Sequence, residues 1–181
     1  MIIFITGPSG VGKSTLRDYY CKTKKIIPVA AYTTRENRCG EIEIHRTISE
    51  PDFDEKNKNG ELCLIGLNHG FKYGYSKSEI KERKDDLILF EVDSKTAIEE
   101  QNDLEAKIVR VIPCNVDIAE KEIINKRDDT IDRIEDLHKQ LSSSFLDHRK
   151  SKGDIFYVNN YDTESLINFI HFIDNDVISK K

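Results

Sequence analysis

The sequence predicts an α/β fold of three layers around a central parallel sheet, and three observations carry that prediction. Short, continuous apolar runs recur along the 181 residues, at Ile2–Thr6, Ile26–Ala31, Leu87–Val92, Ala106–Pro113 and Ile155–Val158. Continuous apolar character, without alternation, marks strands covered on both faces, as in a parallel sheet. Helix-patterned segments separate the runs, at Lys13–Thr23, Lys77–Arg83, Ser94–Gln101, a broken stretch over Val116–Lys150, and Thr163–Ile178. Finally, the first run leads directly into Gly7-Pro8-Ser9-Gly10-Val11-Gly12-Lys13-Ser14. That is a G-x-x-x-x-G-K-[ST] phosphate-binding loop set between a strand and a helix.

Each element has a local reason. In the first loop, glycines let backbone N–H groups approach a nucleotide's phosphates. Lys13 is expected on the outer phosphates and the Ser14 hydroxyl on Mg²⁺, while Thr15 continues into a helix whose N-terminus favours an anion. The expected nucleotide-phosphate site is therefore Gly7, Pro8, Ser9, Gly10, Val11, Gly12, Lys13, Ser14 and Thr15. The last helix opens at Asp162-Thr163-Glu164 and presents Leu166, Ile167, Phe169, Ile170 and Ile173 as an apolar face.

Residues 36–75 break the strand–helix rhythm, with polar turns and short strand-like pieces at Leu62–Leu67 and Phe71–Tyr75. They read as an inserted subdomain at the strand ends where ligands bind. Ser142-Ser143-Ser144 marks a loop or helix break, and the charged stretch from Glu120 to Lys139 reads as a solvent-facing helix pair.

Composition narrows the class. With 38% hydrophobic and 34% charged residues, the chain reads as one polar globule with a real core. A net charge of −5 supplies no basic field for nucleic acid or anionic lipid, and Lys22, Lys24 and Lys25 read as a solvated helix end. No apolar run is long enough to span a membrane, and the first five residues read as a core strand, not a signal peptide. Cys21, Cys39, Cys63 and Cys114 match neither a zinc pattern nor a disulfide framework, so reduced thiols in the cytoplasm are expected.

Two further segments carry chemistry. Thr33-Thr34-Arg35-Glu36-Asn37-Arg38-Cys39-Gly40-Glu41 sets two arginines on one loop, a fork able to grip a phosphate. The run Leu87–Val92 ends in Glu91-Val92-Asp93, whose two acids share one face of the strand. Either acid is a candidate to assist Mg²⁺, and Asp93 equally a candidate to cap the helix beginning at Ser94.

In these segments the chain resembles the guanylate kinase family. The shared pieces are Gly7–Thr15, the Thr33-Thr34-Arg35-x-x-Arg38-x-Gly40-Glu41 loop, Gly70-x-x-Tyr73-Gly74-x-Ser76, Glu91-Val92-Asp93 and Val158-Asn159-Asn160. The resemblance implies a P-loop nucleotide kinase fold with a central parallel sheet, a small acceptor-binding insertion and a helical lid. Its parts would be a core of 1–31, 77–115 and 151–181, an insertion of 32–76 and a lid of 116–150. It implies ATP as donor with Mg²⁺ on Ser14, Glu91 and Asp93, and acceptor contacts from Arg35, Arg38, Tyr73 and Asp93. His45 falls near a phosphate-binding tyrosine of the family. Arg127 and Arg133, with Lys126 adjacent and Arg149 behind them, are the lid arginines that would stabilise charge on the transferred group. The catalytic set is then Lys13, Arg35, Arg127 and Arg133.

The chain also departs from the family. Ala31 and Leu64 stand where a hydroxyl and a glutamate read guanine, and neither hydrogen-bonds a base. The stretch Glu41-x-x-x-His45-x-x-Ile48-Ser49-Glu50, followed by Leu62–Gly74, is similar to ribose 1,5-bisphosphate phosphokinases, whose acceptor has no base. The leading expectation is a kinase acting on a nucleoside monophosphate, GMP or dGMP. A sugar-phosphate kinase and a non-catalytic binding module are the alternatives, with a monomer or homodimer as the assembly.

Overall fold

A computed structural model of the chain describes residues 1–36, 45–68, 70–126, 130–142 and 155–179. Its central sheet is four parallel strands in the order β6-β1-β7-β8, with β1 Ile2–Thr6, β6 Ile88–Glu91, β7 Lys107–Pro113 and β8 Ile155–Asn159. Helix α1 (Lys13–Lys24) follows the phosphate loop, and α4 (Ser94–Glu100) follows β6. Helices α5 (Val116–Lys126) and α6 (Thr130–Leu141) precede β8, and α7 (Thr163–Phe172) runs on into a π-helical turn at Ile173–Ile178.

Alternation along β1 shows why the runs are apolar throughout. Ile3 and Ile5 face one side, joined by Leu89, Val109 and Val111, and pack against Leu16, Tyr20, Phe169 and Ile173. Phe4 faces the other side with Ile88, Phe90 and Ile108. Both faces are sealed, each fully buried aliphatic or aromatic side chain contributing about 1.5–3 kcal/mol.

The second sheet has the order β3-β2-β5-β4, from β2 Ala31–Thr33, β3 His45–Thr47, β4 Leu62–Asn68 and β5 Phe71–Ser76. The predicted core strand at Ile26–Ala31 is not one. Only Ala31 enters a strand, and that strand belongs to the second sheet. Pro28 explains this, because it has no N–H to give a central ladder. A helix that the sequence pattern did not predict, α2 (Glu50–Lys58), covers one side of this sheet with Phe53. Its signal is nonetheless in the sequence: the Ser49 hydroxyl accepts from the Asp52 N–H at 3.2 Å, and Pro51 sits in the first turn. Helix α3 (Lys77–Glu82) returns the chain to the core. Among the described residues no helix is long and apolar enough to cross a membrane.

Candidate active site

The phosphate loop joins β1 to α1 and is braced from three sides. A Cβ on Gly7 would lie 2.2 Å from the Val111 carbonyl oxygen on β7, so only glycine fits there, at φ 140°. Gly12 caps α1 at φ 82°, and a Cβ there would meet Asn159 Nδ2 at 2.5 Å. That Asn159 amide donates to the Val11 carbonyl at 3.0 Å, tying the end of β8 to the loop. The Lys13 ammonium donates to the carbonyls of Gly7 and Pro8, each at 2.8 Å, and so lies across the loop's own mouth. Gly7 to Gly12 thus form a ring around the lysine ammonium, while Ser14 and Thr15 stand in the first turn of α1.

Arg133 on α6 reaches this ring, its guanidinium donating to Ser9 Oγ at 3.3 Å. A cation from the helical segment therefore stands at the loop, 124 residues away in sequence. Arg127 and Arg38 lie outside the described residues, as do Cys39 and Arg149.

Threonines build the loop of the second candidate anion site. Thr33 Oγ1 accepts from the Arg35 N–H at 3.1 Å, Thr34 Oγ1 accepts from the Lys72 N–H at 3.0 Å, and Thr47 Oγ1 donates to the Arg35 carbonyl at 2.9 Å. With its backbone held on both sides, Arg35 directs Nε to the Tyr73 phenol oxygen at 3.0 Å. His45 stands edge-on to the Tyr73 ring with centroids 6.0 Å apart. Arg35, His45 and Tyr73 therefore converge on one spot from the loop after β2, from β3 and from β5. Ala31 and Leu64 are 2% exposed each and belong to the apolar core.

The two acids at the end of β6 and just beyond it separate in role. Glu91 pairs with Arg17 at 3.3 Å, and Arg17, 7% exposed, also binds Asp18 at 2.7 Å. Arg17 lies three residues beyond Ser14 on α1, so Glu91 flanks the helix face that carries Ser14. Asp93 caps α4: Oδ1 accepts from the N–H groups of Lys95 and Thr96, both at 2.9 Å, and Oδ2 from the Thr96 hydroxyl at 2.6 Å. A hydroxyl and one carboxylate beside phosphates suit Mg²⁺, which takes hard oxygen ligands and keeps several waters. Ser14 and Glu91 fit that demand; most of the lone pairs of Asp93 are already taken up by the helix.

Asn159, within the Val158-Asn159-Asn160 piece, braces the loop. Beyond the sequence patterns lay Arg17, which holds Glu91, and a buried chain behind the loop, with Thr6 Oγ1 to Ser94 Oγ at 3.0 Å and Arg110 Nη1 to Ser94 Oγ at 3.1 Å. A polar residue inside an apolar run, such as Arg110 in Lys107–Pro113, was the available signal.

Comparison with known proteins adds the relatives. Residues 2–126 match the family model described as 50S ribosome-binding GTPase, a match that begins at β1 and takes in the phosphate loop. The chain is 29% identical over 179 residues to a guanylate kinase of Fusobacterium nucleatum, covering 96% of this chain and 95% of that one. It is 27% identical over 152 residues to a guanylate kinase of Clostridium tetani, covering 78% and 73%. The crystal structure of guanylate kinase from Anaplasma phagocytophilum shares the fold, with a TM-score of 0.73 at 16% identity over 98% of this chain and 86% of that one.

Proposed function

Because the chain belongs to the guanylate kinase family of P-loop proteins, and shares its phosphate-loop domain with the GTPase model, we propose that it transfers the γ-phosphoryl group of ATP to a nucleoside monophosphate, GMP or dGMP. One observation carries this reading: the same chain holds a complete phosphate loop and a second, pre-built anion site at Arg35 and Tyr73. A nucleotide-binding switch protein needs only the first; a kinase with a phosphorylated acceptor needs both.

The step balances without a general base. An ionised oxygen of the acceptor phosphate bonds to the γ-phosphorus while the bond to the β–γ bridging oxygen breaks, and ADP leaves with that electron pair. Positioning and charge neutralisation then supply the rate. Lys13 exchanges its two loop carbonyls for the outer phosphates, Arg35 with Tyr73 and His45 aims the acceptor, and Arg133 meets charge on the moving group. Mg²⁺, held by Ser14 with Glu91 beside it, supplies neutralising charge on the donor when bound. In this reading residues 32–76 are the acceptor insertion and 116–150 the lid, with Arg38 and Arg127 completing the two sets. The setting is the cytoplasm, where both nucleotides and reduced thiols are found, and the working unit is a monomer or homodimer.

The test is a coupled ADP-release assay with Mg·ATP and GMP or dGMP, beside Lys13→Ala. The expected result is acceptor-dependent ADP release that falls about 10²–10³-fold in the variant. ADP release that no phosphorylated acceptor stimulates would sink the proposal.

A further inference from the structure

Strand β7 carries an arginine where its neighbours are aliphatic. Val109 and Val111 pack into one face of the central sheet and Ile108 into the other. Arg110, two residues past Ile108, turns to the Ile108 face and is only 4% exposed. Register sets it beside Thr6, the last residue of β1 before the phosphate loop. Its Nη1 donates to Ser94 Oγ at 3.1 Å, and Ser94 Oγ lies 3.0 Å from Thr6 Oγ1. A buried charge is costly, and an apolar side chain of similar length would fill the same space without that cost. Packing alone does not select an arginine there.

The surroundings show what this charge faces. Arg110 and Ser94 line a cleft together with Gly7, Pro8 and Gln140. Gly7 and Pro8 are the residues whose carbonyls hold the Lys13 ammonium. Gln140, its amide held by Asp136 at 2.9 and 2.8 Å, belongs to α6, the helix that also brings Arg133 to Ser9. Three cations therefore approach the Gly7–Ser9 corner of the loop, Lys13 from α1, Arg133 from α6 and Arg110 from β7. Asp93, the residue before Ser94, turns its carboxylate to the N–H groups of Lys95 and Thr96 and to the Thr96 hydroxyl.

We infer that Arg110 is a further catalytic residue, a fixed cation that meets the oxygens of the γ-phosphoryl group as it passes from ADP to the acceptor. This rests on the kinase reading above. A guanidinium presents its donors in a planar fork that matches two phosphoryl oxygens. Ser94 orients it before either substrate arrives, and in a buried setting its charge acts more strongly than it would in water. Held in this way and almost wholly buried, Arg110 takes little part in capturing ATP or the acceptor. Its effect falls on the transition state, so that its loss lowers kcat and leaves both KM values close to where they were.

The experiment measures kcat and both KM values for the full chain with Mg·ATP and GMP or dGMP, in the wild type and in Arg110→Met, Arg110→Gln and Arg110→Lys, with a thermal melt of each to check folding. Glutamine keeps an N–H for Ser94 and loses the charge, whereas lysine keeps the charge. The expected result is a kcat lowered about 10²–10³-fold in the methionine and glutamine variants, with KM for ATP and acceptor near wild type. Lysine is expected to recover about tenfold over glutamine. Should the methionine variant not fold, the glutamine and lysine variants decide. A glutamine variant as fast as wild type, a lysine variant no faster than glutamine, or a raised KM with kcat intact overturns the inference and leaves the kinase standing. ADP release that neither acceptor stimulates in the wild type overturns both.

Discussion

Lys13 directs its ammonium to two carbonyls of its own loop, so the phosphate site stands preformed, with its cation waiting inside it. Side chains elsewhere in the site are held just as firmly. Tyr73 holds Arg35 by one hydrogen bond to a charged donor, an interaction of about 1.5–3 kcal/mol. Tyr73→Phe should therefore raise the acceptor KM by about tenfold or more while the KM for ATP stays put, which steady-state kinetics with each substrate varied would check. An equal rise in both constants would place Tyr73 outside acceptor binding. Gly7→Ala is a harsher change, because its methyl would press on the Val111 carbonyl. We expect loss of ATP binding in a titration, along with a fall in melting temperature. An unaltered ATP affinity would mean that the loop tolerates the displacement.

Elements hold one another through a few such contacts. At the amino end of α2, Ser49→Ala removes the cap and should cost about 1 kcal/mol in denaturant unfolding. At the other end of the chain, Asp174 in the π-helical turn accepts from the Tyr20 hydroxyl at 2.8 Å and from Lys24, both on α1. Partial burial works against the Asp174 charge, but these two donors outweigh it and hold the carboxyl below its ordinary value. The folded state thus binds this proton less readily than the unfolded chain. The contribution is whole above the ordinary carboxylate pKa of about 3.9 and is lost as pH falls through the lower folded value. Thermal melts should show a decline below about pH 4 that is shallower in Asp174→Asn; identical slopes would remove Asp174 from the acid response. Legibility follows the same scale. The phosphate loop, β1, β6, β7 and the cap before α7 could be read because each is written in adjacent residues. The false strand at Ile26–Ala31 was apolar for another reason, since Val29 and Ala30 are buried as irregular chain. Asp93 carried two readings, metal assistance and helix capping, and its bonds to Lys95 and Thr96 are those of a cap. The irregularity of β4 between Cys63 and Gly66, where Leu64 takes φ 51°, had no local signature, because burial in the core between the sheets holds it.

Over the whole molecule, two sheets share one apolar layer. Phe4, Phe90 and Val92 of the central sheet's side meet Ala31, Leu64 and Tyr75 of the second. Coupling through that layer predicts that ligand binding at the loop protects the entire chain. Mg·ATP at about 100 times its Kd should add about 2.7 kcal/mol, a rise in melting temperature of about 5–10 °C, and Lys13→Ala should erase it. A rise that survives in the variant would mean that the nucleotide binds elsewhere.

The contact from Asn159 to Val11 has a bearing on how the protein comes into being. The nucleotide loop leaves the ribosome 148 residues ahead of its brace. A nascent chain halted before β8 would carry every residue of the loop and still lack the support that shapes it. Protection of such an arrested chain by Mg·ATP against proteolysis would show the opposite. Competence for the first substrate is in this sense a delayed event of synthesis, reached only when β8 docks.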